Sequence, residues 1–321
     1  MPVLTLTDKR RNNKIECINL LNLRIFRKNF YNALGGSVML KQKRVAAIHD
    51  ISCFGKCSLT VASPIISATG IECCVIPTAV LSTHTGGFEG FTYHDLTADI
   101  QPIASHWKTL DLKFDAIYTG YLGSFEQLNI VSKFFDDFKN EDRLVFVDPV
   151  MADNGKLYQS FPQSFPEGMK NLCKKADVIV PNITEAVLML EEGYKEGPYT
   201  EAYIEGLMKK LADLGHKQVV LTGVHFDDKR LGAATYDKET GIVGYALADR
   251  IEGYYHGTGD VFGSALLGAL LNGISLDHAT QIAVDFTVKS IAWTKAAGTD
   301  VRFGVNFEVN LPSLMNSLKL K

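Results

Sequence analysis

The stretch Leu144-Val145-Phe146-Val147-Asp148-Pro149 is a short apolar run that ends in an acid and a proline. Four consecutive apolar residues of this kind are typical of a strand that is covered on both faces, as strands of a parallel sheet are. Similar apolar runs followed by polar turns occur along the chain, with longer helical stretches between them. Apolar strands joined by helical crossovers predict an α/β domain with a mostly parallel sheet covered by helices on both faces.

The predicted elements alternate from about residue 45 onward. Two runs at 231–235 and 242–246, separated by the charged segment 237–241, predict a late hairpin. The Gly-, Thr- and His-rich segment 78–93 is predicted to be a long loop. The other strands are predicted at 45–48, 71–76, 114–118, 144–147, 178–180 and 219–221, and the helices at 59–68, 100–107, 126–138, 168–175, 184–191 and 201–214, with two more running through Leu271 and Lys295.

The composition favours one large domain: of 321 residues, 46% are apolar and 21% are charged. A formal net charge of −3 argues against nucleic acid or an anionic membrane surface as a partner. No apolar run approaches the roughly 20 residues of a membrane span. Six cysteines occur without CxxC spacing, which predicts reduced thiols in a cytoplasmic protein.

The first 40 residues are basic and irregular, unlike the rest of the chain. They have neither the apolar core of a secretory signal nor the serine content of a transit peptide. We therefore predict an extension over residues 1–38 that docks on the domain or frays, or else a wrongly assigned start upstream of Met39. The domain itself is predicted to span residues 39–321.

The tetrapeptide Gly257-Thr258-Gly259-Asp260 precedes a run of small residues and predicts a glycine turn that opens a helix. Glycines let backbone N–H groups converge, and the first amides of a helix have no internal partners, so such a turn can hold phosphate oxygens. Asp260 at this position suits a general base, because the field of the helix end favours the ionised carboxylate. Asp260 is equally well interpreted as an ordinary helix cap.

Polar residues follow most of the predicted strands. In a parallel sheet these positions meet along one edge, where ligands bind. The segments are His49-Asp50, Thr119-Gly120-Tyr121-Leu122-Gly123, Asp148-Pro149-Val150-Met151, Pro181-Asn182-Ile183-Thr184-Glu185 and Thr222-Gly223.

The motifs DPVM at 148–151, PNITE at 181–185 and GTGD at 257–260, in this order, resemble those of the ribokinase-like superfamily. TGYLGS at 119–124 and STHTG at 82–86 resemble those of its pyridoxal kinase branch. The resemblance covers about residues 43–318. It implies a ribokinase-like three-layer fold, a homodimer, and transfer of the ATP γ-phosphoryl group to the 5′-hydroxymethyl group of pyridoxal, pyridoxamine or pyridoxine.

The resemblance assigns the phosphoryl-transfer roles residue by residue. Asp260 matches the base, and the amides of Gly257, Thr258 and Gly259 match the loop that faces the developing charge. Asp148 and Glu185 match carboxylates that organise Mg²⁺ through water, with Asp153 as a weaker candidate. Thr222 and the backbone at Val180 match the nucleotide site, and a monovalent cation such as K⁺ is also allowed.

Each of these acids also has a purely structural interpretation. Asn182 and Glu185 could form a capping pair at the start of a helix, and Asp148 could simply end a strand. Asp153 in Asp-Asn-Gly is also a good turn residue.

On the alcohol side, the resemblance assigns Asp50, His84, Thr85 and Tyr121 to the pyridine ring. Pyridoxal kinases commonly carry a serine at the position of Asp50, so this departure leaves the preferred vitamer open. A carboxylate there can accept from the ring 3-hydroxyl or pair with a cationic ring nitrogen.

These residues too have alternative roles, namely a loop tether for His84, a turn hydroxyl for Thr85 and a core-edge ring for Tyr121. Phe88, Phe91 and Tyr93 form either a lid or loop packing. Cys53 and Cys57 are predicted to be small buried residues.

Other functions remain open at this point. A hydroxymethylpyrimidine kinase of thiamine synthesis has a similar fold and similar strand ends. A nicotinamide-hydrate dehydratase reuses a GTGD-like loop, and a non-catalytic nucleotide-binding relative is the remaining alternative.

Overall fold

Six parallel strands form the centre of the structure, a computed structural model that describes residues 42–138 and 143–320. The sheet has nine strands in the order β11-β10-β9-β8-β5-β4-β1-β2-β3, and every pairing from β9 to β2 is parallel. The strands are β1 (Arg44–Phe54), β2 (Glu72–Thr83), β3 (Tyr93–Asp95), β4 (Ala116–Thr119), β5 (Leu144–Val147), β8 (Val178–Ile179), β9 (Gln218–Val224), β10 (Arg230–Asp237) and β11 (Val243–Asp249), with a separate small hairpin of β6 (Ala152–Asp153) and β7 (Lys156–Leu157).

Helices cover both faces of this sheet. One apolar core lies under α2 (Thr97–Thr109), α3 (Phe125–Phe138), α4 (Phe165–Cys173), α5 (Ile183–Met189) and α6 (Glu201–Asp213). The other lies under α1 (Leu59–Ala68), α7 (Thr258–Leu271), α8 (Leu276–Ala296) and α9 (Leu311–Ser317). The result is the three-layer ribokinase-like fold predicted from the sequence.

Alternation along the central strands explains why both faces are apolar. In β1, Val45 and Ala47 belong to one core, whereas Ala46 and Ile48 belong to the other, and all four are fully buried. Since successive side chains of a strand point to opposite faces, a strand covered on both sides has to be apolar throughout.

The predicted strand ends at Ile48 and Ile76 were too early, and the predicted loop 78–93 is partly strand. β1 and β2 continue beyond the rest of the sheet as a pair, with Ile51 opposite Val80 and Phe54 opposite Thr83. β3 then pairs antiparallel with β2. The sequence predicted a loop because these residues are polar or mixed; their strand conformation comes from pairing with each other.

The late hairpin was predicted correctly, since β10 and β11 are antiparallel partners. The C-terminal helix α9 was not predicted. The predicted extension 1–38 lies outside the described residues, and the compact unit that carries the described elements begins at Lys43. Within residues 42–138 and 143–320, no helix combines the length and hydropathy that crossing a bilayer requires.

Candidate active site

The direction of strand addition changes at β1. β2 lies on one side of β1, while β4, β5, β8 and β9 are added on the other side. In an open α/β sheet the crevice beyond the carboxyl ends of the strands at such a point is the usual ligand site. Helix α7 lies beside this crevice: a Cβ on Gly263 would lie 2.7 Å from the Tyr118 hydroxyl and 3.8 Å from Asp148 Oδ2.

A glycine turn brings the N-terminus of α7 to the crevice. Gly257 is the N-cap residue, with φ of 74°, and no side chain caps the first amides of the helix. A Cβ on Gly257 would lie 2.1 Å from the carbonyl oxygen of Lys56, so this position needs glycine for both its conformation and its close contact. The uncapped amides of a 14-residue helix therefore remain available to an anion.

Asp260 lies in the first turn of α7, but it is not the helix cap. The backbone N–H of Ser58, at the start of α1, lies near the Asp260 carboxylate and favours the ionised form. Burial of the carboxylate, opposed by this N–H and reinforced by Asp50, raises the pKa of Asp260 to about 7. A carboxyl with this pKa can take up and release a proton near neutral pH, as a general base requires.

Asp148 follows β5 and is buried beneath α7. Burial, Glu185 and Asp260, in that order, raise the pKa of Asp148 well above its ordinary value. Glu185 and Asp260 therefore each lie close enough to Asp148 for their charges to repel its own, although the three acids are far apart in the sequence. The structure brings them together at the edge of the sheet where the sequence predicted them to meet.

Glu185 begins α5 in the capping role that the sequence left open. Asn182 accepts from the Glu185 N–H at 2.9 Å, and Glu185 Oε2 accepts from the Asn182 N–H at 2.8 Å. Oε1 accepts from the N–H of Met151 at 3.1 Å. Burial nevertheless dominates and raises the pKa of Glu185 to about 8. Since both carboxylate oxygens already accept backbone hydrogen bonds, Glu185 is better suited to contact a metal ion through water than directly.

The acids fit a hydrated cation better than a direct three-carboxylate site. Across residues 42–138 and 143–320, no three His, Cys, Asp or Glu side chains form a metal-ligand cluster. The Asp153 carboxylate instead accepts hydrogen bonds from the backbone N–H of Asn154 at 2.8 Å and from the Tyr254 hydroxyl at 3.0 Å. Among the described residues, no positively charged side chain lowers the pKa of Asp148. A divalent ion with its water shell would supply the missing positive charge, and Mg²⁺ keeps such a shell.

Asp50 lies near Asp260, on the part of β1 that extends beyond its pairing with β4. Its Oδ1 accepts from the Ser58 hydroxyl at 2.5 Å and its Oδ2 from the Ser52 hydroxyl at 3.3 Å. Burial raises the pKa of Asp50, and the two serines oppose this shift. The two serines thus hold this buried carboxylate in one orientation.

Two tyrosines are near Asp50. Tyr121 is partly buried, its ring lies 5.5 Å from that of Phe161, and burial raises its pKa, with Asp50 adding to the shift. Burial also raises the pKa of Tyr93 to about 12, with Tyr121 and Asp50 among the further causes. A Cβ on Gly123 would lie 3.0 Å from the Tyr93 hydroxyl and 3.7 Å from that of Tyr121. Both hydroxyls therefore stay protonated and can donate to a polar ligand near Asp50.

His84 acts as a loop tether in this structure. Its Nδ1 accepts from the Gly86 N–H at 3.1 Å, so Nε2 carries the proton and donates to the Arg302 carbonyl at 2.6 Å. Burial lowers the pKa of His84 and keeps the ring neutral. Thr85 is exposed. The contacts of His84 and Thr85 with a pyridine ring therefore stay predictions.

Among the aromatic residues predicted as a lid or as packing, Phe88 is packed, and the lid stays a prediction. Phe88 packs on His84 at 4.9 Å and stacks with Phe303 at 6.4 Å, while Phe91 and Tyr93 are exposed. The prediction that Cys53 is buried was wrong, because it lies exposed on the part of β1 that extends beyond its pairing with β4.

The predicted nucleotide residues lie at neighbouring strand ends. Val180 is buried and its N–H donates to Val147. Thr222 pairs through its N–H with Pro181 at 2.9 Å, which ties β9 to the end of β8. These two positions shape the edge of the sheet, and nucleotide binding at them stays a prediction.

Comparison with known proteins identifies the family. A model of the phosphomethylpyrimidine kinase family matches residues 65–304. The chain belongs to this family.

Relatives of this kinase with known structures include pyridoxal kinases. A Bacteroides thetaiotaomicron protein, provisionally assigned as a phosphomethylpyrimidine kinase and crystallised with pyridoxal, is 40% identical with a TM-score of 0.82, over 85% of this chain and 96% of that one. Pyridoxal kinase of Lactobacillus plantarum is 31% identical with a TM-score of 0.79, over 86% and 98%. The pyridoxine/pyridoxal/pyridoxamine kinase of Bordetella avium is 27% identical over 270 residues, which are 79% of this chain and 86% of that protein.

The sequence did not single out Ser58, and it predicted Cys57 only as a small buried residue. Ser58 lies near both Asp50 and Asp260, and burial and then these two acids raise the pKa of the Cys57 thiol. The available signal was their place in the turn Gly55-Lys56-Cys57-Ser58 between the first strand and the first helix, because the first such turn commonly contacts the ligand.

Proposed function

We propose that this kinase transfers the γ-phosphoryl group of ATP to the 5′-hydroxymethyl group of pyridoxal, pyridoxamine and pyridoxine, with Asp260 as the general base. The observation that carries the proposal is the position of Asp260, between the uncapped amides of α7, the buried Asp148 and the oriented Asp50. Phosphoryl transfer needs this set: anion donors, a site for a divalent ion and a proton acceptor for the alcohol.

In the proposed reaction Asp260 accepts the proton of the alcohol as the alcohol oxygen forms a bond to the γ-phosphorus. The bond from that phosphorus to the bridging oxygen breaks, and ADP leaves with the electron pair. The amides at Gly257, Thr258 and Gly259 face the charge that develops on the transferred group. Asp148 and Glu185 would hold Mg²⁺ through water, and the ion would neutralise phosphate charge.

Asp50 supports a pyridine as the alcohol. A buried carboxylate that two serines hold in place can pair with a protonated ring nitrogen or accept from a ring hydroxyl. The pyridoxal found with the Bacteroides relative points the same way. Tyr121 and Tyr93 would bound the ring on the side of Gly123.

Hydroxymethylpyrimidine phosphorylation is the second candidate, because the matching family model is described as phosphomethylpyrimidine kinase, an activity on the phosphate of that alcohol. Its substrate also carries a primary alcohol on a nitrogen heterocycle, so the same base and metal acids would serve. The two candidates differ only in what Asp50 and the tyrosines recognise.

A competition assay separates these candidates. The full chain is incubated with ATP, Mg²⁺ and an equimolar mixture of pyridoxal, pyridoxamine, pyridoxine and 4-amino-5-hydroxymethyl-2-methylpyrimidine, and the products are identified by mass. We expect the B6 alcohols to be phosphorylated first. Preferred phosphorylation of the pyrimidine would overturn the B6 assignment but keep the kinase, and loss of ATP without a phosphorylated alcohol would overturn both.

A further inference from the structure

Ser58 has a backbone conformation that residues with side chains rarely adopt, with φ of 56° and ψ of −132°. Such strain persists only where the surrounding structure enforces it, and it is concentrated at functional sites. The enforcing contacts are visible two residues earlier. The Lys56 N–H donates to the Phe303 carbonyl at 3.0 Å, and the Lys56 carbonyl is packed against Gly257 and Gly304, where a Cβ would lie at 2.1 and 2.7 Å.

The strained conformation lets Ser58 contact both acids of the site. Its hydroxyl donates to Asp50 Oδ1 at 2.5 Å, and its backbone N–H lies near the Asp260 carboxylate and favours its ionised form. Its carbonyl accepts from the N–H groups of Val61 and Ala62 at 3.0 and 2.8 Å, which fixes it to the first turn of α1. One buried residue therefore connects β1, α1 and the N-terminus of α7.

An ordinary helix-capping role does not explain this arrangement. Ser58 occupies the N-cap position of α1, where a serine hydroxyl normally accepts from a backbone N–H of the first turn. Here the side chain makes no such bond and donates to Asp50 instead. Ser58 therefore lacks the capping hydrogen bond and has a strained backbone, but it lies against both acids.

We propose that Ser58 is a positioning residue that fixes Asp50 and Asp260 relative to each other, so that the alcohol bound at Asp50 presents its hydroxyl to Asp260. This inference rests on the proposed function, because it assumes that Asp50 contacts the alcohol and Asp260 takes its proton. The hydroxyl orients the binding carboxylate, and the constrained N–H orients the base.

Two substitutions separate these contributions. Ser58→Ala removes the hydroxyl but keeps the constrained backbone and its N–H, so we expect KM for the alcohol to rise about tenfold with kcat within about twofold. Ser58→Gly removes the hydroxyl and also frees the backbone, so we expect the same rise in KM together with a roughly tenfold lower kcat. KM for ATP should stay unchanged in both variants.

Melting temperature distinguishes positioning from a structural role. Glycine tolerates a positive φ, so Ser58→Gly should melt above Ser58→Ala while turning over more slowly. Thr60→Ala is the matched control, because it also removes a hydroxyl at the start of α1. The Thr60 side chain is exposed, and its hydroxyl donates to the Cys57 carbonyl at 2.8 Å. We expect its KM and kcat to match those of the wild type.

The series uses whichever alcohol of the competition assay the wild type phosphorylates. Wild-type kinetics in both Ser58 variants would overturn the positioning role alone. The same holds if Ser58→Ala has both the lower melting temperature and the lower kcat of the two variants. Failure of the wild type to phosphorylate any alcohol would overturn the proposed function and this inference with it.

Discussion

Replacing Asp260 with asparagine tests the proposed chemistry most directly. The amide has nearly the shape of the carboxylate and keeps an oxygen that can accept from the Ser58 N–H. It has no basic group for the alcohol proton. The change therefore removes the charge from the crevice with little change in packing.

The size of the effect on catalysis follows from the role of the residue. Loss of a general base lowers kcat by about 10²- to 10⁴-fold, which corresponds to about 3–5.5 kcal/mol of activation free energy. ATP binding should survive, since the uncapped amides of α7 are unchanged.

The same variant should unfold less readily at neutral pH. The pKa of Asp260 is raised from 3.8 to about 7, so its ionised form is disfavoured in the folded state. A shift of this size corresponds to about 4 kcal/mol, and screening by solvent at this partly exposed side chain reduces it to about 2 kcal/mol. The unfolded chain loses this proton near pH 4 and the folded chain near pH 7. The gain in the asparagine variant should therefore be complete above pH 7 and shrink as pH falls towards 4.

The assay measures product formation by mass, ATP binding by calorimetry and unfolding by denaturant at several pH values. Asp277→Asn is the matched control, because Asp277 is also an acid in the first turn of a long helix but binds Thr235 at 2.5 Å instead of facing the crevice. We expect its kcat to stay at the wild-type value. If Asp260→Asn keeps kcat within tenfold of the wild type, Asp260 is not the base.

Three further predictions concern the metal, the ring and pH. Glu185→Gln should raise the Mg²⁺ concentration needed for half-maximal rate, whereas Thr200→Ala, which removes the cap of α6, should destabilise the protein and leave that concentration unchanged; an unchanged Mg²⁺ titration for Glu185→Gln would leave Glu185 as a cap alone. Asp50→Ser should change the relative kcat/KM of pyridoxal, pyridoxamine and pyridoxine, and identical ratios would show that Asp50 does not contact the ring. The kcat/KM profile should rise with pH, because the base acts when ionised, and level off above about pH 7, the pKa of Asp260; a rate that falls across this range would contradict that role.

Much of the fold was predictable because its strands are apolar on both faces. The runs at Leu144–Val147 and in the first part of β1 have no exposed face, and a parallel sheet is the ordinary way to bury such strands. The ends of β1 and β2 were not predictable from composition. Residues such as Ser52 and Thr83 form strands there because β1 and β2 pair with each other beyond the central sheet.

The sequence by itself determined the strand and helix alternation, the family and the positions of Asp148, Glu185 and Asp260 at polar turns, because each is encoded within a few neighbouring residues. Tertiary structure decided which atoms of these residues remain available. Both carboxylate oxygens of Glu185 accept hydrogen bonds from the backbone N–H groups of Asn182 and Met151. Ser58 is held in a strained conformation by contacts from segments about 200 residues or more away. Such contacts leave no local sequence pattern, since a backbone carbonyl that approaches a distant glycine is fixed only when the whole chain has folded.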